Sequence, residues 1–156
     1  MSLRILSGLR LASLLVSALL SASCFQLFDG EWSFDEVSRV TSLSGKVDAV
    51  LVERNGGATT SFGYEVFVVS RGKAVTKGSE IASLYGAVRS DQAYGVNLKW
   101  EGSNRLVIEY LKHRGAELKK PISTIDGEQV SAVFRSDVND PTAPPGGMLY
   151  NLKQGK

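Results

Sequence analysis

Alternating apolar and polar positions dominate the middle of the chain and predict strands rather than helices. The clearest alternation occupies residues 96–101 and 105–110, on either side of a turn at residues 101–104. A period of two sends alternate side chains to opposite faces, so this stretch predicts a β-hairpin with one core face. Its expected core positions are Val96, Leu98, Trp100, Leu106, Ile108 and Tyr110.

Two other segments, residues 47–53 and 62–69, are apolar on both faces. This pattern is typical of strands that are covered on both sides. Arg54-Asn55-Gly56-Gly57-Ala58-Thr59-Thr60-Ser61 joins them, and its glycines adopt positive φ at low cost. We therefore predict a hairpin whose loop is longer than the two-residue minimum.

The rest of the chain is less regular. Residues 130–135 predict another strand after an Asp-Gly turn, whereas residues 80–88 fit a strand and a helical face about equally well. Residues 25–40 mix aromatic and acidic side chains without a firm period. Three prolines in five residues predict an extended C-terminal tail. An alternative left open is that residues 148–152 dock back onto the domain.

These patterns predict a mainly β fold: a single small antiparallel sheet domain built from hairpins, preceded by an N-terminal signal helix. The expected organisation is a signal over residues 1–23, a tether over 24–44, the β domain over 45–136 and a Pro/Gly-rich tail over 137–156. About 130 residues after the signal suffice for one core without metal or disulfide.

The N-terminus has the layout of an export signal. Arg4 and Arg10 precede the apolar residues 11–20, and small residues 21–23 precede Cys24. This stretch resembles a bacterial lipoprotein signal, although Ser21 stands where such signals usually have Leu. The resemblance implies cleavage before Cys24, a diacylglycerol on its thiol and a further acyl chain, such as palmitate, on its amine.

Two other fates of this segment stay open. An ordinary signal peptidase would release a soluble protein with a free Cys24, and an uncut segment from residue 11 to residue 28 would barely span a bilayer. In each case the remainder is exported, because basic residues stay on the cytoplasmic side. In a host with two membranes, Phe25 replaces the Asp that commonly retains lipoproteins at the inner membrane. The lipoprotein resemblance therefore favours the outer membrane, facing the periplasm.

Charge argues against a nucleic-acid partner. The chain has 18 basic and 16 acidic residues, and removal of residues 1–23 takes away two arginines and no acid, which leaves 16 of each. A neutral domain without a basic stripe is not expected to bind nucleic acid. Its single cysteine, Cys24, cannot form a disulfide within the chain.

Few residues offer catalytic chemistry. His113 is the only histidine and lies between Lys112 and Arg114, so neither a Ser-His pair nor a zinc cluster is expected. Glu53, like other strand carboxylates, is expected on a solvent-exposed face. The sequence therefore predicts no enzymatic activity, no cofactor and no metal.

The loop at residues 54–62 is the main candidate binding site. Its candidate residues are Asn55, Gly56, Gly57, Thr59, Thr60 and Ser61. Binding residues concentrate on loops held by rigid scaffolds, and turn geometry alone does not require three successive hydroxyls. The alternative is that these hydroxyls satisfy backbone groups within the turn. The Gly-Ala-Thr-Thr-Ser-Phe stretch also resembles a group of small bacterial proteins, and that resemblance implies no activity.

These observations predict a lipid-anchored envelope protein with a non-enzymatic, protein-binding role. Its partners would be the membrane, through Cys24, and another envelope protein, in a scaffold or in an inhibitor or immunity complex. The alternative is a small periplasmic hydrolase or ligand-binding module that uses the loop at residues 54–62.

Replacement of Cys24 tests the anchor. We expect Cys24→Ser to abolish incorporation of labelled fatty acid and to leave an unprocessed precursor, because the thiol is the acceptor of the first acyl group. Metabolic labelling and the mass of the N-terminal peptide measure both effects. Wild-type protein without acyl mass on that peptide would refute the prediction.

Overall fold

The computed structural model describes residues 32–155, which belong to one compact unit. The predicted signal helix and Cys24 lie outside the described residues. Within residues 32–155, nine strands and one short helix follow one another. In order they are β1 (Asp35–Thr41), β2 (Val47–Arg54), β3 (Gly63–Ser70), β4 (Ala82–Tyr85), β5 (Asn97–Glu101), β6 (Arg105–Glu109), β7 (Gly115–Leu118), β8 (Ile122–Ile125), β9 (Glu128–Arg135) and α1 (Met148–Gln154).

The strands form two sheets. The first has five strands in the order β1-β2-β3-β4-β7, and all of its pairs are antiparallel. The second has four strands in the order β5-β6-β9-β8, in which β6 and β9 run parallel. The mainly β fold is thus confirmed, with two sheets in place of one.

One apolar core joins the two sheets. Strand β2 contributes Ala49 and Leu51, β3 contributes Tyr64 and Val66, and the second sheet contributes Ile108 among others. Because consecutive side chains point to opposite faces, the intervening residues of β2 and β3, such as Val50 and Phe67, face away from this core.

The outer face of the first sheet is also covered. Val50, Val52 and Phe67 form a second apolar cluster, on which Phe34 and Val75 pack. The prediction that residues 47–53 are buried on both faces is confirmed, because seven of the eight residues of β2 are buried.

The tether assignment of residues 24–44 needs correction. Residues 35–41 form β1 at the edge of the first sheet, with a register shift between Glu36 and Ser38. This bulge brings Val37 into the core and breaks the period of two, which is why the sequence pattern did not indicate a strand. The undecided residues 80–88 contain strand β4, and positive φ at Gly86 follows its end.

Other differences lie in short or terminal segments. Strands β7 and β8 have only four residues each and are largely exposed, so they carry little apolar periodicity. The tail docks back through helix α1, whose Met148 belongs to the core. Among residues 32–155, no helix has the length and apolar character needed to cross a membrane.

Trp100 connects the two sheets. The hairpin register pairs Leu98 with Ile108 and Trp100 with Leu106, which places these four side chains on the core face, as expected. The indole Nε1 of Trp100 donates a hydrogen bond to the Val40 carbonyl oxygen at 3.0 Å. Trp100 in the second sheet thus bonds to an edge strand of the first.

Truncation of Trp100 should therefore destabilise the fold. We expect Trp100→Ala to lower the free energy of unfolding by about 3 kcal/mol, because it removes core packing and leaves the Val40 carbonyl without its donor. Lys99→Ala, on the exposed face of the same strand, should have little effect. Urea denaturation compares the two variants, and equal losses would contradict this register.

Asp48 lies on the outer face of β2, where it is a buried acceptor of three hydrogen bonds. It is only 2% exposed and accepts hydrogen bonds from Thr41 Oγ1 (2.8 Å), Arg39 Nη1 (3.0 Å) and the Gly72 N–H (2.8 Å). Burial disfavours its ionised form, but the Gly72, Thr41 and Arg39 hydrogen bonds outweigh that effect and lower the pKa of Asp48.

The lowered pKa predicts a pH-dependent contribution to stability. Asp48 stabilises the fold above its unfolded pKa of about 3.9, and this stabilisation is lost as the pH falls through the lower folded value. We expect Asp48→Asn to cost about 2 kcal/mol at pH 7 and clearly less at pH 2.5. Denaturation at both pH values measures the difference, and a cost that does not change with pH would argue against an ionised Asp48.

Candidate functional site

The loop at residues 54–62 is held by its own turn and by Trp32. Asn55 Oδ1 accepts the Gly57 N–H at 2.9 Å, and Gly57 has a φ of +99°. A Cβ on Gly56 would lie 2.7 Å from Trp32 Cε2, so the indole packs where any other side chain would clash. Ser33 adds a backbone bond to the Asn55 carbonyl.

The three hydroxyl residues of the loop have different surroundings. Thr60 Oγ1 donates to the Gly57 carbonyl at 3.1 Å, which is the turn-stabilising role that the structural alternative requires. The Ser61 N–H donates to the Tyr85 hydroxyl at 3.0 Å. Within residues 32–155, the hydroxyl of Thr59 makes no hydrogen bond and is exposed. Of the three hydroxyls, only that of Thr60 is thus engaged within the loop.

A cavity of about 470 Å³ opens beside this loop. Asn55 and Phe62 line it, whereas Gly56, Gly57, Thr59, Thr60 and Ser61 do not. Tyr94 and the tail complete its walls. The structure therefore brings only one of the predicted binding residues to the cavity and adds residues that are distant in sequence.

Glu53 lies in the cavity wall and is 2% exposed, contrary to the expectation of a solvent-exposed face. Glu53 follows Ala49 and Leu51 at every second position of β2. Its side chain therefore points to the same face and enters the core. Oε2 accepts the Tyr64 hydroxyl at 3.0 Å and the Met148 N–H at 2.8 Å. No donor among residues 32–155 bonds to Oε1.

Tyr64 is held as a hydrogen-bond donor. Burial raises its pKa, and the charge and hydrogen bond of Glu53 raise it further. The phenol is therefore protonated at neutral pH and donates to Glu53. This pair supplies a fixed polar group at the cavity wall.

Aromatic rings form the other walls. The rings of Phe62 and Tyr94 have centroids 5.1 Å apart and are tilted by 59°. Tyr150 lies at the mouth with 62% of its surface exposed, and the exposed Lys153 also lines the cavity. The result is a largely apolar cavity with one buried carboxylate.

The C-terminal tail closes the cavity through its glycines. The Tyr94 N–H donates to the Gly146 carbonyl at 3.0 Å, and the Gly146 N–H donates to the Gln92 carbonyl at 2.8 Å. A Cβ on Gly147 would lie 2.9 Å from Phe62 Cζ and 3.3 Å from Glu53 Oε1. The ring and the carboxylate therefore approach the Gly147 backbone so closely that only glycine fits at this position.

A second cavity, of about 520 Å³, lies between β3 and β8. Lys73, Lys120 and several hydroxyl residues line it, and the Ser123 hydroxyl has no partner within the described chain. Both lysines are exposed, so no buried charge is available there to orient a ligand. The cavity at Glu53 is the stronger candidate.

Metal-binding clusters and the single histidine were the remaining candidates for chemistry. No group of three or more His, Cys, Asp or Glu residues is placed to hold a metal within residues 32–155. His113 packs edge-on against Tyr110 with ring centroids 5.1 Å apart and does not line the cavity at Glu53.

Sequence reasoning missed Glu53, Tyr94 and Tyr150 as site residues. The available signal was the position of Glu53, a carboxylate in the inward phase of a strand that is otherwise apolar on that face. Tyr94 and Tyr150 gave no comparable signal, because only the tertiary structure brings the tail beside β2.

No family model, no curated protein and no solved structure matches the chain.

Proposed function

We propose that the protein is a lipid-anchored, exported binding module without enzymatic activity, and that the cavity beside Glu53 is its recognition site. A single observation carries the proposal. The cavity combines apolar walls with one buried, oriented carboxylate, the composition typical of binding sites.

The position of the site agrees with a tethered module. Trp32 and Ser33 contact the loop at residues 54–62, so the chain enters the domain at the end that holds the cavity. The chain from Cys24 to Trp32 spans at most about 28 Å when fully extended. An anchor at Cys24 would therefore keep the cavity close to the membrane, within reach of another envelope protein.

Two kinds of occupant fit this proposal. A partner protein would insert a side chain past Tyr150, in a scaffold or an inhibitory complex. A free ligand is the second candidate, because a volume of about 470 Å³ lies within the range of small-molecule sites.

Site-specific photo-crosslinking in intact cells tests the site. A photoreactive amino acid at Tyr150, at the mouth of the cavity, should yield a discrete protein adduct because a bound partner lies in contact there. The same group at Leu43, which is 76% exposed in the turn at the opposite end of β2, should not. Immunoblotting and mass spectrometry of the adducts make the comparison.

The control variant makes this outcome decisive. Adducts of equal yield and identity at Tyr150 and Leu43 would place recognition elsewhere. The absence of any adduct at Tyr150, together with the absence of a small molecule co-purifying with the protein, would reject the cavity as the site.

A further inference from the structure

We propose that the cavity binds a primary ammonium group carried on an apolar stem, with Glu53 Oε1 as its acceptor. The ammonium group would belong to a free amine or to a lysine side chain of a partner. This inference rests on the proposed function and adds the chemical class of the occupant.

The hydrogen bonds of Glu53 are the first support. Its two donors, the Tyr64 hydroxyl and the Met148 N–H, are uncharged, and both bond to Oε2. No ion pair among residues 32–155 includes Glu53. A buried carboxylate without a cation is costly, and an ammonium ligand at Oε1 would supply the opposite charge together with a charged donor.

The basic residues nearby leave that position open. Arg89 is buried, and its charge acts on Tyr64, but its Nε donates to the Tyr94 carbonyl at 3.3 Å. Lys153 lines the cavity but is exposed. Neither forms an ion pair with Glu53, so the carboxylate is available to a ligand cation.

The walls suit the stem and the charge of such a ligand. Phe62, Tyr94 and Tyr150 present aromatic surface, which attracts a cation within about 6 Å of a ring centroid. Gly147 has an ordinary extended φ of −75°, so its role here is steric: Phe62 and Glu53 Oε1 approach its backbone too closely for a side chain. An anionic ligand would instead meet the like charge of Glu53.

Titration with three matched probes tests this chemistry. Full-length protein in non-ionic detergent would be titrated with benzylammonium, benzyl alcohol and phenylacetate, and binding followed by the amide NMR shifts of Gly147 and Met148. We expect benzylammonium to bind at least about tenfold more tightly than benzyl alcohol, because a charged hydrogen bond replaces a neutral one. Phenylacetate should bind most weakly.

Variants identify the acceptor. Glu53→Gln keeps the shape of the side chain and an oxygen for Tyr64 and Met148, and it should remove the preference for benzylammonium. Glu117→Gln, on the exposed part of β7, is the matched control and should change nothing. Equal affinity for benzylammonium and benzyl alcohol, or an unchanged preference in Glu53→Gln, would overturn the proposal.

A second pair of variants applies if Glu53→Gln does not fold. Lys153→Gln should tighten benzylammonium binding by removing a like charge, and Tyr150→Ala should weaken it by removing an aromatic wall. Both residues are exposed, so neither change should affect folding. Benzylammonium affinity that is unchanged in both variants would overturn the proposal.

Competition separates this proposal from the proposed function and distinguishes the two sources of the amine. Loss of the Tyr150 adduct in the presence of benzylammonium supports a partner that presents a lysine. Specific benzylammonium binding without any protein adduct supports a free amine. A Tyr150 adduct that benzylammonium does not displace keeps the cavity as the recognition site and overturns the ammonium chemistry.

Discussion

The structure around the cavity depends on the hydrogen bonds that the buried carboxylate of Glu53 accepts. This carboxylate lies at the core face of β2 and is bonded by Tyr64 of β3 and by the backbone of Met148, which is 95 residues further along the chain. Because a buried carboxylate is costly without donors, this position requires the first turn of α1 to dock against it. The docked tail in turn forms one side of the cavity.

The two-sheet core and the tail have different stabilising interactions. Apolar side chains of both sheets pack in one cluster, and Trp100 adds a hydrogen bond from the second sheet to β1. The tail packs Met148 and Leu149 on that cluster and is also held by hydrogen bonds of Met148 to Glu53, of Asn97 to Asp140 and of the Gly146 backbone. The cavity therefore lies between the loop that joins β2 to β3 and the docked tail, and binding residues concentrate on loops that a scaffold holds.

Part of the fold and little of the site could be predicted from sequence. The hairpin around Trp100 and the two-sided burial of β2 follow from local alternation, and both are confirmed. Strand β1 was missed because its bulge at Val37 disrupts the period. At the candidate site, Asn55 reaches the cavity, whereas Glu53 was assigned to a solvent-exposed face because its bonding partners are not adjacent in sequence.

The sequence by itself determined strands β2, β3, β5, β6 and β9 and which of their faces are apolar, because in these segments apolar residues recur in a pattern that neighbouring residues set. It also determined the net charge and the N-terminal pattern from which an export signal before Cys24 is predicted. Only the tertiary structure decided that the strands divide into two sheets, that β6 and β9 run parallel, and that the tail closes a cavity over Glu53. Each of these depends on contacts between residues that are distant in sequence. Bringing such residues together costs chain entropy, which is offset only when the whole core has formed.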